Sequence, residues 1–351
     1  MRLATLFALS LLVVGTASAA TTADAVRHAN QLMQKYTGDV PGASLLVIKD
    51  GKPLLDRGYG MADLEHHVAA SPATDYRLAS VTKQFTAAAI LLLAQDGKLK
   101  LGDSVRHWLP SLPAFTDQVK LGELLCHTGG LLDYEDLIPP GATNQLNDND
   151  VLRMIAATTH GYFPPGSAYR YSNTGFVLLG LVVEKASGMT LQDFLARRIF
   201  RPLHMDHTLL YVHDDKTVPN RAYGYSETNG QWLRTDQDLT SATRGDGGIY
   251  SNIDDLAKWD AALYDNRLLS DASRKLAFSP HAKVVGEPYE ADYGYGWRIT
   301  GDTLWHSGES IGFRNVIVRW PKQHLTVILL SNRNDPEPYR TVLAIAEPFL
   351  H

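Results

Sequence analysis

The stretch that decides the fold of this 351-residue chain is SVTKQFTAAAILLLAQDG, which runs from Ser80 to Gly97. The spacing predicts a helix over 80–96 that ends at Gly97, because glycine readily adopts the left-handed conformation that closes many helices. From Phe85 through Ala94 this helix is apolar on nearly every side. A helix without a polar face is buried inside the protein rather than lying on its surface. We therefore expect a central, buried helix.

Strand-like segments lie on both sides of this helix. Near the N-terminus, the β-rich run Ala43–Ile48 is followed by the hairpin signal Asp50-Gly51 and by a second run, Pro53–Gly60. Between about 100 and 250 the chain reads mainly as long loops and helices, among them Asp148–Thr159, Gly175–Ala186 and Leu191–Ile199. Near the C-terminus we predict a closing helix near 337–350, preceded by the strands Gly294–Thr300, Thr303–His306, Phe313–Trp320 and Leu325–Ser331.

This order of segments predicts an α/β (α+β) fold. An antiparallel sheet flanked by helices is built from both chain ends, and an all-helical domain is inserted between them. The expected boundaries are 21–100 plus 250–351 for the sheet domain and 101–249 for the helical domain.

Composition and charge narrow the function. Hydrophobic residues make up 44% of the chain and charged residues 20%, which is typical of a soluble globular protein. The 33 Lys and Arg against 38 Asp and Glu give a net charge of −5, and no basic run occurs. Because a nucleic-acid-binding surface needs a basic excess or stripe, we expect no nucleic-acid partner.

The first twenty residues have the pattern of a cleaved export signal. Arg2 provides a positive start, Leu3–Val14 is apolar, and Ala17-Ser18-Ala19 supplies small residues at the cleavage spacing. The apolar run is short for a membrane span, and an N-terminal anchor is the alternative. We expect a signal peptide at 1–20, a periplasmic or secreted protein, and no membrane span after signal removal.

Neither the cysteine nor the histidines indicate a metal or redox site. Cys126 is the only cysteine, so no intrachain disulfide can form, and its apolar neighbours favour a buried side chain over a nucleophile. The pair His204 and His207, and the neighbours His66 and His67, lack the i, i+4 spacing and third ligand of a zinc site. We expect surface histidines, no metal and no cofactor.

Three short motifs carry the chemistry, and the first is Ser80-Val81-Thr82-Lys83. Residues three apart on a helix share a face, so the Ser80 hydroxyl and the Lys83 amine can touch. A serine becomes a nucleophile when a neighbouring base takes its proton, which a poorly hydrated lysine can do. The helix N-terminus adds N–H groups that suit a developing oxyanion. Taken alone, the motif is better explained by an N-capping serine before a solvated lysine.

The second motif is Tyr171-Ser172-Asn173, which precedes the apolar helix beginning at Gly175. A tyrosine and an asparagine two apart in an extended turn point the same way. They offer a phenol for proton transfer and an amide for a substrate carbonyl. A turn followed by an N-cap, with Tyr171 only packing, is the alternative.

The third motif is His306-Ser307-Gly308, at the end of a predicted strand. The glycine would let a substrate approach the strand backbone closely. The N–H of Glu309 is the candidate for a second oxyanion donor beside that of Ser80. A structural histidine at a strand end is the alternative for His306.

Together and in this order, the motifs resemble those of the penicilloyl-serine superfamily, the serine β-lactamases and penicillin-binding peptidases. The closer resemblance is to the class C β-lactamase-like family, which includes D-stereospecific peptidases and carboxylesterases. It covers nearly the whole chain after the signal. The other matching stretches are Leu78–Phe85, Leu124–Leu131, Tyr171–Gly180, Gly247–Ser251, Tyr295–Trp297 and His306–Phe313.

The resemblance implies a role for each motif residue. Ser80 would be the acylated nucleophile, Lys83 and Tyr171 would share proton transfer, and Asn173 would orient the acyl amide of the substrate. Which of Lys83 and Tyr171 is the base stays open, because the pair can titrate as a unit. Position 306 departs from the lysine of most β-lactamases. A histidine with a pKa near 6.5 is partly charged at neutral pH, so we expect weak or pH-dependent carboxylate binding.

We therefore predict an exported serine hydrolase that acts through an acyl-Ser80 intermediate on D-amino-acid peptides or amides, like a D-alanyl carboxypeptidase. The partners would be small peptide, amide, ester or β-lactam substrates. A carboxylesterase or β-lactamase of the same fold and a non-catalytic penicillin-binding sensor are alternatives. Gly308–Gly312 also matches the GxSxG elbow of an α/β-hydrolase with Ser310 as nucleophile, but that elbow needs a helix where Phe313–Trp320 reads as a strand.

Overall fold

The computed structural model describes residues 21–212, 217–334 and 338–350. The export signal predicted at 1–20 lies outside these residues. The described strands are β1 (Ala43–Lys49), β2 (Lys52–Tyr59), β3 (Met61–Asp63), β4 (Val68–Ala69), β5 (Tyr76–Arg77), β6 (Leu209–Leu210), β7 (Tyr225–Thr228), β8 (Gln231–Arg234), β9 (Ile249–Ser251), β10 (Ala282–Lys283), β11 (Asp292–Tyr293), β12 (Arg298–Thr300), β13 (Thr303–Ser310), β14 (Phe313–Trp320) and β15 (Leu325–Ser331). The described α-helices are α1 (Thr22–Leu32), α2 (Thr82–Gln95), α3 (Val105–Trp108), α4 (Leu121–Leu125), α5 (Asp148–Ala156), α6 (Asn173–Ser187), α7 (Leu191–Leu195), α8 (Ile253–Ala262), α9 (Asp271–Ala277) and α10 (Pro338–Ala346).

The main sheet is antiparallel and unites the two ends of the chain. Its strand order is β10-β11-β12-β13-β14-β15-β1-β2, so the first long strand pairs with the last. The β1–β2 hairpin turns at Asp50 and Gly51, whose φ angles of 51° and 73° suit a two-residue turn that needs positive φ. The predicted sheet, flanked by helices and built from both ends, is confirmed.

Alternation along the central strands gives the sheet two apolar faces. In β1, Leu46 belongs to the core shared with α2, α6 and α8, whereas its neighbour Val47 belongs to the core beneath α1 and α10. In β15, Ile328 and Val327 are divided in the same way. A strand covered on both faces has no polar side, which explains why every residue of β15 is buried.

Helix α2 is the central element that the sequence predicts. Every residue from Thr82 to Leu93 is buried, and Gly97 follows the helix with a φ of 68°. The α-helix begins at Thr82 and not at the predicted Ser80, because Ser80 belongs to a 3₁₀ turn over Ala79–Val81 that leads directly into the helix.

Other boundaries differ from the predictions for local reasons. The strand predicted at Gly294–Thr300 is interrupted, because Gly296 adopts a φ of 75° where the chain packs against the Lys83 backbone. The strand predicted to end at His306 continues to Ser310 beside β14. The middle of the chain also contains the short strand β6 and the β7–β8 hairpin. The division at 101 and 249 stays a prediction.

Among the described helices, none is by itself long and apolar enough to cross a membrane, and only α6 together with Leu191–Phe200, bent by 77°, reaches the required length and composition.

Candidate active site

Ser80 lies in the 3₁₀ turn Ala79–Val81, next to two paired strands. The turn follows β5, whose residues Tyr76 and Arg77 pair with β9. Ala79, immediately before the serine, has a φ of 48°, a left-handed conformation that is costly for a residue with a Cβ. Such strain persists only where the surroundings fix the backbone, and it concentrates at functional sites. Ser80 itself keeps partial exposure at the start of the buried helix.

Lys83 connects the first two motifs. Its Nζ donates to Ser80 Oγ at 2.9 Å, to Asn173 Oδ1 at 2.7 Å and to the Asp246 carbonyl at 3.0 Å. The amide and carbonyl oxygens accept only, so two of the three positions on the nitrogen are occupied by N–H groups. The remaining position faces Ser80, either as an N–H or, in the neutral amine, as the lone pair that takes a proton. The structure thus brings these two predicted residues together.

The second motif divides between a loop and a helix. Tyr171 lies in the segment before α6, and Asn173 is the first residue of that helix. The Lys83 nitrogen is 5.0 Å from the centroid of the Tyr171 ring. The expected extended backbone is present at Ser172, with φ of −148° and ψ of 126°, but Asn173 already has helical backbone. The side chains of Tyr171 and Asn173 nevertheless lie around Lys83.

Acidic residues surround Asn173. Its backbone N–H donates to Asp133 Oδ2 at 2.7 Å, and its side-chain Nδ2 donates to Glu135 Oε1 at 2.8 Å. Sequence reasoning did not identify these carboxylates as part of the site. The available signal was their place directly after the glycine turn at 129–130, which is within a stretch that resembles the family.

Asp246 is a further carboxylate missed from the sequence. It is buried below Lys83, where Tyr134 donates its hydroxyl to Oδ2 at 3.3 Å and Oδ1 has no partner. Burial raises the pKa of Asp246, and the nearby Lys83 cation opposes that rise. No local motif marks this residue, because its proximity to Lys83 depends on packing between segments that are far apart in sequence.

The third motif lies on β13, beside the Ser80 turn. From His306 to Ser310 this strand has β14 on one edge, whereas β12 stops at the level of Trp305. A Cβ on Gly308 would overlap the Leu78 carbonyl oxygen. Close packing against the turn is therefore one reason for a glycine here, and the substrate contact expected from sequence stays a prediction. Glu309 is on this strand next to Gly308, and its role as second oxyanion donor stays a prediction.

The expectation of a partly charged His306 is wrong. The ring is 1% exposed, with Nδ1 2.6 Å from the Ser307 carbonyl and Nε2 2.8 Å from the Tyr293 hydroxyl. Because a carbonyl only accepts, Nδ1 carries the proton and Nε2 accepts from Tyr293. Burial, together with the cations Arg298 and Lys83, holds the pKa of His306 well below its usual 6.5. The imidazole is therefore neutral at physiological pH and supplies no cation for a carboxylate.

A second buried histidine, His127, packs against Tyr171, one of the two candidates for proton transfer. The rings of His127 and Tyr171 lie with centroids 4.2 Å apart, and His127 Nδ1 accepts the Ser172 N–H at 3.2 Å. Burial lowers the pKa of His127 well below 6.5, and the Lys83 cation contributes. His127 and, at 6.5 Å between ring centroids, Tyr293 pack against the ring of Tyr171.

Tyr171 also lines a groove at the protein surface. Its volume is about 610 Å³, and its walls include the aromatic residues Tyr162, Phe163 and Tyr169 together with Val285, which is 60% exposed. Tyr171 is therefore shared by this groove and the surroundings of Lys83.

The alternative sites receive no support from the geometry. Ser310 ends β13 and is followed by a turn and strand β14, so the helix of a nucleophile elbow is missing there. Cys126 is 5% exposed, and burial raises the pKa of its thiol, which is consistent with a buried, unreactive side chain. His204 and His207 are exposed. Across the described ranges, no group of three His, Cys, Asp or Glu side chains is placed to hold a metal ion.

An antiparallel sheet with helices on both faces and a serine–lysine pair at the start of a buried helix is the arrangement of β-lactamase and transpeptidase-fold hydrolases. The Beta-lactamase family model matches residues 25–348. The chain therefore belongs to the beta-lactamase family, and it is a serine hydrolase of that fold.

Individual relatives agree with this assignment. The chain is 32% identical over 327 residues to penicillin-binding protein 4* of Bacillus subtilis (strain 168), covering 88% of this chain and 72% of that protein. It is 31% identical over 310 residues to protein flp of Staphylococcus aureus (strain MRSA252), covering 85% of this chain and 60% of that protein. The chain thus spans about 60% of the length of protein flp.

Solved structures share the fold. A penicillin-binding protein from Bacillus halodurans superposes with a TM-score of 0.79 at 28% identity, covering 92% of this chain and 99% of that one. A D-amino acid amidase from Ochrobactrum anthropi SV3 superposes with a TM-score of 0.78 at 24% identity, covering 93% and 97%. At that identity the amidase demonstrates a common fold alone.

Proposed function

We propose that the protein is an exported serine hydrolase that cleaves peptides or amides of D-amino acids through an acyl-Ser80 intermediate. The observation that carries this proposal is the contact of Lys83 Nζ with both Ser80 Oγ and Asn173 Oδ1. A nucleophile, a candidate base and a candidate acyl-binding amide are thereby within hydrogen-bond reach of one nitrogen. The D configuration and the peptide or amide bond rest on the family resemblance.

The proposed reaction has two steps. In the first, Ser80 Oγ attacks the substrate carbonyl carbon, and its proton passes to Lys83 or Tyr171. The bond between the carbonyl carbon and the leaving nitrogen breaks, and that nitrogen receives the proton as the neutral amine departs. In the second, water attacks the acyl-serine ester, gives its proton to the same residues, and releases the carboxylic acid and free Ser80.

Of the substrates considered, those with a neutral leaving group fit best. Most β-lactams and carboxy-terminal peptides present a carboxylate, which calls for an available cation. His306 is neutral, and Arg298, beside Tyr171, is paired with Glu287 at 2.5 Å. This arrangement supports amides over carboxy-terminal dipeptides. It also favours a second candidate function, a carboxylesterase whose alcohol group would occupy the aromatic groove.

The test is the mass of the intact protein over time after mixing with a penicillin or with p-nitrophenyl acetate. We expect an acyl adduct from p-nitrophenyl acetate in the wild type, less from the penicillin because of its carboxylate, and none from either in Ser80→Ala, with turnover lost to background. Ser310→Ala is the matched control, because it removes the other candidate hydroxyl, and it should keep the adduct. Retained turnover in Ser80→Ala would refute the mechanism. A permanent adduct with every substrate would favour the penicillin-binding sensor.

Export is proposed from the composition of residues 1–20. Expression of the full chain in a bacterium should deliver it to the periplasm or medium, with an N-terminus near Ala20 or Thr21. Retention in the membrane fraction with Met1 present would instead identify an anchor.

A further inference from the structure

Glu135 reaches the catalytic group through a short chain of hydrogen bonds. Its Oε1 accepts from Asn173 Nδ2 at 2.8 Å, and the Oδ1 of the same amide accepts from Lys83 at 2.7 Å. Lys83 in turn contacts Ser80 Oγ at 2.9 Å. A carboxylate therefore stands beside the amide that is expected to orient the acyl half of a substrate, while it keeps its own exposure to solvent.

The main chain fixes the position of this carboxylate. Asp133 accepts the Glu135 N–H with Oδ1 at 3.1 Å and the Asn173 N–H with Oδ2 at 2.7 Å. One aspartate thus ties the 3₁₀ turn Tyr134–Leu137 to the start of α6. The Tyr134 N–H adds a bond to Thr174 Oγ1 at 2.8 Å. These hydrogen bonds fix the backbone of Glu135 relative to that of Asn173.

The charge of Glu135 has no cation beside it. In the part of the chain that the structure describes, no lysine or arginine nitrogen lies within 4.0 Å of its carboxylate, which contacts only the neutral amide of Asn173. Its charged neighbours are the acids Asp133 and Asp246 and, across the Asn173 amide, the Lys83 cation. The carboxylates here outnumber the one ammonium, so the potential beside Asn173 is negative, which attracts a cationic group and disfavours an anionic one.

Around Tyr171, by contrast, the cations are already paired with carboxylates. Arg298 pairs with Glu287 at 2.5 Å, and Arg170 pairs with Asp136 at 2.9 Å. His306 is neutral. The cleft thus combines an unmatched carboxylate near Asn173 with an aromatic, charge-matched groove near Tyr171.

We propose that Glu135 determines specificity by binding the ammonium group of the acyl half, so that the substrates are amides, peptides or esters of an amino acid with a free amino group. The α-ammonium is two bonds from the carbonyl carbon that Ser80 attacks, so it must lie close to Asn173 when the carbonyl is in place. A carboxylate oxygen there accepts a charge-assisted hydrogen bond, which is about twice as strong as a neutral one. This inference rests on the proposed function and selects amino-terminal over carboxy-terminal cleavage.

The test compares D-alanine p-nitroanilide with N-acetyl-D-alanine p-nitroanilide, which differ in the charge on one nitrogen. We expect kcat/KM to be at least tenfold higher for the free-ammonium substrate with the wild type. Glu135→Gln should reduce that ratio at least tenfold. Glutamine keeps an acceptor for Asn173 Nδ2 and removes only the charge. Glu347→Gln, on the exposed C-terminal 3₁₀ turn, is the matched control and should keep the wild-type ratio.

Charge reversal gives a second, independent measurement. Glu135→Lys should prefer N-succinyl-D-alanine p-nitroanilide, whose added carboxylate would meet the new ammonium, over the free amine. Three outcomes overturn this inference and leave the proposed hydrolase intact. The first is an unchanged ratio in Glu135→Gln, and the second is a wild type that prefers the N-acetyl substrate. The third is a wild type that cleaves neither p-nitroanilide while p-nitrophenyl acetate still labels Ser80. Absence of any Ser80 adduct with ester, penicillin or amide overturns the proposed function itself.

Discussion

At the scale of single residues, the site depends on which polar atoms donate and which accept hydrogen bonds. The Lys83 nitrogen has acceptor-only oxygens at two of its three positions, so its third position faces Ser80 in either charge state. His306 has the opposite constraint, since both of its ring nitrogens are occupied inside the protein. The histidine that looks like a charge-bearing binding residue in the sequence is a neutral residue that positions Tyr293.

A neutral, buried His306 predicts how stability depends on pH. The unfolded chain binds a proton near pH 6.5, whereas the folded protein does so only well below that value. Protonation therefore favours the unfolded state, and below pH 6.5 each pH unit costs about 1.4 kcal/mol for this one group. Glutamine at this position offers one N–H donor and one acceptor, as neutral histidine does, and cannot titrate. We expect the free energy of unfolding of the wild type, relative to His306→Gln, to fall by about 1.4 kcal/mol between pH 7.5 and 5.5.

Urea titrations of both proteins at the two pH values provide the measurement. The comparison between variants is needed because buried acids act in the opposite direction. Burial raises the pKa of Asp75 to about 8, so the stability that this group gives is lost as the pH rises. That contribution cancels in the difference. A difference that does not change with pH would mean that His306 does not remain neutral in the fold.

At the scale of elements, catalysis depends on how closely β13 approaches the Ser80 turn. Strand β13 keeps one edge free of β12 from His306 onward, and the face of Gly308 packs against the Leu78 carbonyl. The strand and the turn that carries Ser80 are therefore in direct contact. Hydrogen-bond donors on the turn and on the strand act on a developing oxyanion only if this spacing is kept.

Gly308→Ala tests this spacing. The added Cβ would overlap backbone atoms of the turn, which cannot move away without displacing Ser80. We expect kcat/KM for p-nitrophenyl acetate to fall at least about 100-fold, the order of effect of losing an oxyanion donor. Gly102→Ala is the control, since no atom lies within 4 Å of its Cβ position. Full activity and an unchanged melting temperature in Gly308→Ala would contradict the close packing.

At the scale of the whole molecule, the sheet and the helical segment share one apolar core. Ile317 and Ile328 of the sheet belong to the same cluster as Val177 of α6 and Phe194 of α7. The sheet itself needs both chain ends, because β1 lies between β15 and β2. Neither part retains its core when the other is lost, so we expect the two parts to unfold together.

Cooperative unfolding is measured by following one urea transition with two probes. Far-UV circular dichroism reports mainly the helices, and tryptophan fluorescence includes Trp305 and Trp320 on the sheet. We expect coincident midpoints. Leu329→Ala, which deletes a fully buried side chain of β15, should lower both midpoints together at a cost of about 2–5 kcal/mol. Separate midpoints would show that the chain does not unfold as one cooperative unit.

Local pattern was enough for much of the fold and for the three motifs. The apolar run after Ser80 determines α2, because a helix without a polar face can only be buried. The alternating and fully apolar segments determine β1, β14 and β15. The exact bounds of these strands depend on the hydrogen bonds that they form with one another in the sheet. The spacing of Ser80 and Lys83 on one helical face is likewise a property of the helix itself.

Only the tertiary structure determined the electrostatics of the site, that is, which charged groups lie near Lys83 and Asn173 and how burial shifts their pKa values. Glu135 and Asp246 have no motif, and they reach Lys83 and Asn173 because loops distant in sequence pack against α2 and α6. The pKa of His306 depends on burial and on Arg298 and Lys83, which the sequence around it does not specify. Local sequence determines periodicity and backbone preference, whereas desolvation and the field of distant charges exist only once the chain has folded.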